Sequence, residues 1–234
     1  MIRFDVSQKG QTQVANLKTR ALLDLSHTAA AELFSRHEYP WEILPELGDF
    51  IRALGASLPS DEYTEMGEGV WVHKTASVAP TALVLGPTVI GPETEVRHAA
   101  YIRGSALIGK GCVIGNSTEV KNAVIFDAVQ VPHYNYVGDS ILGYRSHMGA
   151  GAIASNVKSD KTNIAVVSQD ERIETGLRKL GTILGDFVEI GCNSVCCPGS
   201  VVGRRSVVYP LTRLRGVIDE DCICKGEGIV VKKH

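Results

Sequence analysis

The chain has 234 residues, a formal net charge of −2 and 44% hydrophobic residues. This length is enough for one large or two modest domains with a substantial core. The nearly balanced charge gives no whole-chain argument for nucleic acid or an anionic membrane, and we expect neither as a partner. The sequence has no charged-then-apolar leader and no apolar run of about 18 residues, so we predict a soluble, cytoplasmic protein.

Residues 1–66 lack a long-range repeat and predict a small helical N-terminal cap. The segment Leu17–Leu25 is apolar enough for a strand or short helix, and Ser26 can cap a helix after it. Pro40 can open another helix, with Gly55 as its stop. Because a solenoid has an unpaired end, we expect this cap to cover that end, and a docking element for a partner is the alternative.

A six-residue repeat begins near residue 68. It matches neither the 3.6-residue period of a helix nor the two-residue period of an isolated strand. A hexapeptide period with β-branched residues predicts a left-handed parallel β-helix, in which three hexapeptides form one coil and the aliphatic side chains fill the interior. The repeating positions are Val72, Val78, Val84, Ile90, Val96, Ile102, Ile108, Ile114 and Val120.

The repeat is interrupted further along the chain. Its register slips by one residue after Val120, and again before Leu142. Between residues 155 and 181 the repeat disappears, and alternating apolar residues there predict a β-hairpin arm. The repeat resumes at Leu184, so we assign residues 67–218 to the β-helix, with an inserted loop at 155–181. Residues 219–234 then form a tail of one or two strands.

Two cations occupy equivalent positions of neighbouring coils. Arg103 and Lys121 are eighteen residues apart, which is one predicted coil, so both should leave the same corner. Two adjacent cations repel unless an anion lies between them, and Arg and Lys are typical phosphate or carboxylate partners. The pattern therefore favours a phosphate-type site, with two solvated surface cations as the alternative.

The interrupted region contains a second group of candidate residues. The segment VPHYNYVGD, residues 131–139, places His133 and Tyr136 about one coil beyond the cationic pair. The following segment, HMGAGAIASN, is rich in small residues, which let a ligand approach the backbone closely. Its N–H groups could hold a carbonyl oxygen as it gains negative charge. We interpret His133 as a catalytic histidine, with a surface cluster as the alternative.

Six cysteines are present and none forms the C-x-x-C spacing of a zinc site. Cys192 and Cys196 fall within the repeat. We expect buried, reduced thiols rather than disulfides or a metal site, and no metal.

The run EVKNAVIFDAVQVPHYNYVGDSILGYRSHMGAGAIASN, residues 119–156, resembles a known family. The family is the hexapeptide-repeat acetyltransferase domain of the bifunctional enzymes that make UDP-N-acetylglucosamine. Those enzymes join a glucosamine-1-phosphate acetyltransferase to an N-acetylglucosamine-1-phosphate uridyltransferase. The insertion ending in GLRKLG looks closer to archaeal-type sugar-1-phosphate members. The resemblance covers roughly residues 68–212.

The resemblance implies roles for individual residues of the acceptor site. Arg103 and Lys121 match the family's phosphate-binding arginine and lysine, and a second phosphate lysine lies within one residue of Lys161. His133 matches the catalytic histidine and Tyr136 the substrate tyrosine. Two further matches concern the reacting groups: Ala150 supplies a backbone N–H at the thioester, and Asn156 orients the amine.

The chain departs from the family pattern at two positions. His147 stands where the family has a sugar-contacting asparagine, and Val157 where an aromatic residue follows the second asparagine. Both departures bear on the identity of the sugar. The uridyltransferase half, a nucleotide-binding domain that opens with a Gly-rich phosphate loop, resembles nothing in residues 1–66. We therefore expect no uridyltransferase activity from this sequence.

Acetyl-CoA is the co-substrate that the resemblance implies, and a homotrimer with active sites between subunits is the implied assembly. We assign residues along the later coils and the insertion to coenzyme A. They are Ala150, Arg178, Lys179, Cys192, Arg204 and Arg205. For the four cations, solubilising surface charge is the alternative.

The predicted reaction is direct transfer of an acetyl group to the amine of an amino-sugar 1-phosphate, with His133 as the base. An imidazole, whose ordinary pKa is about 6.5, suits this role near neutral pH. Two other functions stay open: a non-catalytic β-helix that regulates a separate sugar nucleotidyltransferase, and an acyltransferase for another phosphorylated amino sugar.

Overall fold

The computed structural model describes residues 16–168, 171–226 and 228–233, and these form a parallel β-helix, as predicted. In the described part of the chain, three α-helices precede the coils: α1 (Thr19–Leu22), α2 (Ala31–Ser35) and α3 (Leu47–Ser57). Two 3₁₀ turns, Leu25–His27 and Pro40–Ile43, lie between them. Within the described residues, no helix is long and apolar enough to cross a bilayer.

The described strands are only two to seven residues long, because most of them span one side of a coil. The two strands of seven residues each continue around a corner onto a second side. In chain order the strands are β1 (Tyr63–Gly67), β2 (Val70–His73), β3 (Ser77–Val78), β4 (Leu83–Val84), β5 (Thr88–Ile90), β6 (Glu95–Val96), β7 (Tyr101–Ile102), β8 (Ala106–Ile108), β9 (Val113–Asn116), β10 (Glu119–Ile125), β11 (Gln130–His133), β12 (Tyr136–Leu142), β13 (His147–Met148), β14 (Ile153–Ala154), β15 (Ala165–Val167), β16 (Arg172–Glu174), β17 (Thr182–Leu184), β18 (Glu189–Ile190), β19 (Val195–Cys196), β20 (Ser200–Val202), β21 (Val207–Val208), β22 (Arg213–Leu214), β23 (Val217–Ile218), β24 (Cys222–Gly226) and β25 (Ile229–Lys232).

The coil register confirms the sequence repeat and its slips. Ile90 pairs with Ile108, a coil of 18 residues, whereas Ile108 pairs with Ile125, a coil of 17. Leu142 pairs with Leu184, so the insertion lies between neighbouring coils. The inward-facing aliphatic side chains are mostly buried, although Val78 and Val84 in the first coils are half-buried.

The prism has three faces, which we name by the order of their strands. The first face contains β2, β5, β8, the ends of β10 and β12, β17, β20 and β23. The second face contains β3, β6, β9, β11, β13, β18, β21 and β24. The third face contains β4, β7, the beginnings of β10 and β12, β14, β19 and β22.

The first face is apolar on its outside as well as its inside. Its outward-facing residues stack in register, and all are buried except the half-buried residues at the two ends. They are Trp71, Val89, Leu107, Val124, Ile141, Ile183, Val201 and Val217. A buried outer layer requires a second element packed on this face.

Residues 16–58, here the flanking segment, cover the first face. Near its start, the N–H of Asp24 donates to Asp186 Oδ2 at 2.8 Å. Further along, the rings of Phe34 and Phe126 lie 5.6 Å apart, and Gly55 packs against Trp71. The segment therefore runs along the coils from the later ones to the first.

This position corrects the predicted end cap. The helices cover a side of the β-helix, because that side is the one with apolar residues on its outside. The edges of the first and last coils are instead paired with antiparallel strands: β1 pairs with β2, and β25 pairs with β24. Residues 1–15 of the predicted cap lie outside the described residues.

Three local predictions in the flanking segment are wrong. Ser26 caps no helix; its N–H and hydroxyl both donate to Asp24, which caps the first 3₁₀ turn. The helix predicted from Pro40 is only a 3₁₀ turn that ends at Ile43; Pro45 lies two residues further, and α3 begins at Leu47. Gly55 lies inside α3 rather than after its end. A Cβ on this residue would be 2.1 Å from the Trp71 ring, so glycine is required by packing and not as a helix stop.

The predicted hairpin arm and tail are present. β15 and β16 pair antiparallel, with Val166 opposite Ile173, and the arm folds onto its own coils, where Ile164 and Val166 are buried. The segment that joins the two strands includes residues 169 and 170, which lie outside the described residues. β24 and β25 form the hairpin that ends the described chain.

Shortening Ile141 should distinguish the covered first face from an exposed one. Ile141→Ala removes a fully buried outward-facing side chain, and we expect a loss of about 2–5 kcal/mol in the free energy of unfolding. The matched control is Val195→Ala, an outward-facing residue of the third face that is 37% exposed. Denaturant unfolding of both variants is the measurement, and equal small losses would mean that the flanking segment does not cover the first face in solution.

Candidate functional site

Most of the residues predicted to bind the acceptor or to take part in the reaction lie on the third face or at one of its two corners. Stacked along the outside of this face are Leu83, Tyr101, Glu119, Tyr136, Ile153, Val195 and Arg213. One corner, here the cationic corner, follows the third-face strands and carries Arg103 and Lys121. The other, the histidine corner, precedes them and carries His133 and Ala150. The third face is thus a short strip bounded by two groups of polar residues.

The cationic corner is built as the repeat predicted, but its charges are already paired. Arg103 and Lys121 lie in neighbouring coils in register. Arg103 Nη1 donates to Glu119 Oε1 at 2.7 Å, and Lys121 Nζ donates to Asp139 Oδ2 at 3.1 Å. The argument that two unpaired cations require an anion is therefore wrong, because each cation has a carboxylate of its own.

Both cations nevertheless keep free donors. Arginine has five N–H donors and the lysine ammonium has three, so one ion pair leaves the others available. The Arg103 side chain is 43% exposed, and the Lys121 side chain is 23% exposed. The ion pair with Glu119 raises the pKa of Arg103. The corner can therefore accept an anion without losing its internal pairs.

Tyr136 and Asn156 meet over Gly138. A Cβ on Gly138 would lie 2.5 Å from the Tyr136 hydroxyl oxygen and 2.9 Å from Asn156 Nδ2, so only glycine leaves room for both side chains. Burial, together with the negative charges of Asp139 and Glu119, raises the pKa of Tyr136. Its hydroxyl therefore stays protonated near neutral pH and can donate a hydrogen bond.

The histidine corner is exposed. His133 lies at the end of β11 opposite Asn116, and its carbonyl oxygen accepts the Gly151 N–H at 2.9 Å, which places Ala150 beside it in the next coil. The Ala150 carbonyl accepts from Asn193, whereas no acceptor for the Ala150 N–H exists among the described residues. Imidazole and a free backbone N–H are thus neighbours.

Cys192 lies in the histidine corner one coil beyond Ala150. The two coils are in register there, since Met148 pairs with Ile190 and the Gly149 N–H donates to the Ile190 carbonyl oxygen. A Cβ on Gly149 would lie 3.0 Å from Cys192 Sγ. The thiol is exposed, which corrects the expectation that all six cysteines are buried.

Two other predicted acceptor residues lie apart from these corners. His147 is on the second face, where its Nδ1 lies 2.8 Å from Glu189 Oε2. Lys161 is exposed in the insertion, in a left-handed turn with φ 56°. In the same loop, Lys158 donates a hydrogen bond to the Thr162 hydroxyl and forms an ion pair with Asp160.

The four cations assigned to coenzyme A are not brought together. Arg204 pairs with the buried Asp186 at 3.1 Å, beside the flanking segment. Arg205 donates to both carboxylate oxygens of Asp221 and is also paired with Glu220. Arg178 and Lys179 are exposed in the insertion. We therefore leave Arg204 and Arg205 out of the candidate site.

The structure adds three residues that sequence reasoning did not use: Glu119, Asn122 and Asp139. Glu119 and Asp139 balance the two cations, and Asn122 donates to Asp139 Oδ1 at 2.8 Å. A signal was available, because Glu119 and Asp139 lie 16 and 18 residues after the two cations they pair with, which is close to one coil.

Of the other five cysteines, four are buried and Cys197 is half-buried. Burial raises the pKa of Cys112 and Cys196 to about 12, so both stay protonated and unreactive at pH 8. Among the described residues, no group of three or more His, Cys, Asp or Glu side chains is arranged to hold a metal ion.

Thiol titration of the native protein should separate these environments. With an aromatic disulfide reagent at pH 8, Cys192 should react quickly, while Cys112, Cys196, Cys222 and Cys224 should react only after unfolding, because all four are buried. Cys192→Ser should remove the fast phase. Persistence of the fast phase in that variant would contradict the assigned exposure.

Comparison with known proteins supports the resemblance. A family model described as the GMPPB C-terminal domain matches residues 84–195. A bifunctional sugar-1-phosphate nucleotidylyltransferase/acetyltransferase from Sulfurisphaera tokodaii is 35% identical over 88 residues, which are 38% of this chain and 22% of that protein. The bifunctional protein GlmU of Methanocaldococcus jannaschii is 37% identical over 81 residues, 35% of this chain and 20% of that protein.

The chain spans about a fifth to a third of the length of the curated relatives it matches. Among solved structures, a hexapeptide transferase family protein from Anaplasma phagocytophilum is 18% identical, with a TM-score of 0.40, over 71% of this chain and 81% of that one. The resemblance inferred from residues 119–156 is confirmed by the relatives' names, which include archaeal ones. Over a little more than a third of its length, the chain is similar to bifunctional sugar-1-phosphate nucleotidylyltransferase/acetyltransferases, and its own coils are built from hexapeptide repeats.

Proposed function

We propose that the chain is an acetyl-CoA-dependent N-acetyltransferase that acts on an amino-sugar 1-phosphate. The observation that carries the proposal is the third face, where a cationic corner and an exposed histidine corner flank Tyr136 and Asn156. Glucosamine-1-phosphate and galactosamine-1-phosphate carry the phosphate on C1 and the amine on the neighbouring carbon, C2. The cationic corner offers donors for the phosphate, and Asn156 and the histidine corner offer groups for the amine and the acetyl thioester.

In this mechanism, Arg103 and Lys121 bind the phosphate through the donors that their ion pairs leave free. Tyr136 donates a hydrogen bond to the sugar, and Asn156 orients the amine. His133 removes a proton from the amine as its nitrogen attacks the thioester carbonyl carbon of acetyl-CoA. The Ala150 N–H donates to the oxygen that becomes negative. The C–S bond then breaks, and the coenzyme A thiolate leaves and takes up the proton.

We further propose that the site is completed by a second subunit of a homotrimer. In the single chain the histidine corner is exposed, whereas acyl transfer benefits from a cleft that excludes water. Ile153 and Val195 continue the third face beyond Tyr136 as an apolar strip, and Val195 is 37% exposed. Such a strip suits the pantetheine arm of acetyl-CoA between two subunits, with the exposed Cys192 thiol at its edge.

The deciding experiment measures free thiol released from acetyl-CoA with glucosamine-1-phosphate and galactosamine-1-phosphate as separate acceptors. Release that requires one of them supports the proposal and identifies the sugar. The second acceptor is included because His147 stands where the family has a sugar-contacting asparagine, which bears on the identity of the sugar. His147 is also paired with Glu189. No release with either acceptor, from a protein shown to be a folded trimer, would contradict the proposal and favour a regulatory β-helix.

Removing the lysine of the cationic corner should affect acceptor binding most. For Lys121→Ala we expect the KM for the acceptor to rise about 10- to 100-fold, because a charge-assisted phosphate contact contributes roughly 1.5–3 kcal/mol. Steady-state kinetics with varied acceptor give the measurement. The control is Lys110→Ala, an exposed lysine of the same coils that pairs with Glu93. An unchanged acceptor KM in Lys121→Ala would remove Lys121 from the site.

A further inference from the structure

Asp139 is a buried carboxylate at the cationic corner. It lies within β12, between the part of that strand on the third face and the part on the first face. Its exposed fraction is 4%. Its backbone is left-handed, with φ 49°, a conformation that Asp tolerates better than most residues.

Three side chains from the two coils on either side of Asp139 converge on this carboxylate. Oδ2 accepts from Lys121 Nζ at 3.1 Å and from Asn156 Nδ2, and Oδ1 accepts from Asn122 Nδ2 at 2.8 Å. An ionised carboxylate only accepts, so all three partners must be donors, as they are. Losing the charge would leave the half-buried Lys121 ammonium facing a neutral group.

The partners of Asp139 differ from those of Asp127 and Asp186, two other aspartates on the coils. Asp127 accepts the backbone N–H of Lys110, and Asp186 accepts backbone N–H groups of Asp24 and Tyr144. Such bonds fix the course of the chain. Asp139 instead accepts only from side chains, and two of them belong to the site. Its contacts therefore set where functional groups point.

We propose that Asp139 is a positioning residue that fixes the distance between the phosphate-binding Lys121 and the amine-orienting Asn156. Both donate to the same oxygen, so the carboxylate ties the two ends of the acceptor site together. This inference rests on the proposed function for its catalytic consequence. It predicts that the anion contact and the amine contact are energetically coupled through Asp139.

The first test is Asp139→Asn, which keeps size and backbone preference but turns an N–H₂ group toward at least one donor. We expect kcat/KM for the acceptor to fall about 10²-fold, the scale of a misplaced reacting group. In a double-mutant cycle, adding Asp139→Asn to the Lys121→Ala variant should lower its kcat/KM by less than about 3-fold further. Asp127→Asn is the control and should change kcat/KM by less than about 3-fold. Additive losses, or an unaffected Asp139→Asn, would overturn the proposal.

A second variant covers the case in which Asp139→Asn does not fold. Asn122→Gly removes the third donor and keeps the left-handed backbone accessible, since Asn122 has φ 46°. It should lower kcat/KM by about 5- to 10-fold with Lys121 and Asn156 intact. A loss below 2-fold in a folded Asn122→Gly protein would overturn the proposal.

A readout without turnover separates this inference from the proposed function. Amine-reactive labelling, followed by peptide mass spectrometry, should modify Lys121 slowly compared with Lys110, whose side chain is 57% exposed. In Asp139→Asn or Asn122→Gly, labelling of Lys121 should accelerate at least 3-fold while Lys110 is unchanged. If no acceptor is turned over but Lys121 labelling accelerates, the proposed function fails and the positioning contact stands. Unchanged Lys121 labelling would refute the contact whether or not acetyl transfer occurs.

Discussion

Replacing His133 with alanine should lower acetyl transfer by about 10²- to 10⁴-fold, with a change in acceptor affinity of less than about 3-fold. His133 is the imidazole that lies beside the free Ala150 N–H, whereas the other histidine of this corner, His98, lies two coils earlier. Without a base, the amine must lose its proton to water. Steady-state and single-turnover kinetics with the preferred acceptor give kcat separately from binding.

The chain provides a matched control on the same corner. His98 lies two coils earlier in the stack that contains Asn116 and His133, and its Nδ1 contacts Thr81 at 2.7 Å. His98→Ala removes an exposed imidazole from this corner without touching the proposed site, so its kcat should stay within about 3-fold of wild type. Equal losses in both variants, or full activity in His133→Ala, would remove His133 from the mechanism.

Gly115→Ala should destabilise the protein by about 3 kcal/mol or prevent folding, the upper range for overpacking. A Cβ on Gly115 would lie 1.6 Å from the carbonyl oxygen of Pro132 in the next coil, so a backbone must move. Movement there would separate Asn116 from His133, which are paired. Denaturant unfolding, monitored by circular dichroism, gives the change in the free energy of unfolding.

Gly67→Ala is the control for this effect. Gly67 is also in a β-strand, but a Cβ on it would meet nothing within 4 Å. We expect its free energy of unfolding to change by less than about 1 kcal/mol, the cost or gain typical of an unstrained glycine replacement. A Gly115→Ala protein as stable as Gly67→Ala would show that neighbouring coils can separate at this corner.

The sequence contained more about the packing than the hexapeptide repeat alone. On the first face, each inward aliphatic residue follows another apolar one, as in Val89–Ile90, Leu107–Ile108 and Ile141–Leu142. On the second face the preceding residue is often polar, as in Glu95–Val96 and Gln130–Val131. This difference between faces could have predicted that the helices cover a side rather than an end.

The candidate site was predicted in part. The eighteen-residue spacing of Arg103 and Lys121 predicted that they lie at one corner, because residues one coil apart in the sequence are neighbours in stacked coils. It could not show that Glu119 and Asp139 neutralise them, since side chains from neighbouring coils choose partners by rotamer and space. It also could not show that Arg205 is held by Asp221.

The sequence by itself determined the coil, its slips and the position of the inserted hairpin. The reason is that each hexapeptide must place one aliphatic side chain inside the prism, and a strictly local period leaves little freedom. Only the tertiary structure decided where the flanking segment lies, which cations are free, and that Asp139 joins Lys121 to Asn156. These features depend on contacts between distant residues, and such contacts are selected by shape, burial and charge balance rather than by any period.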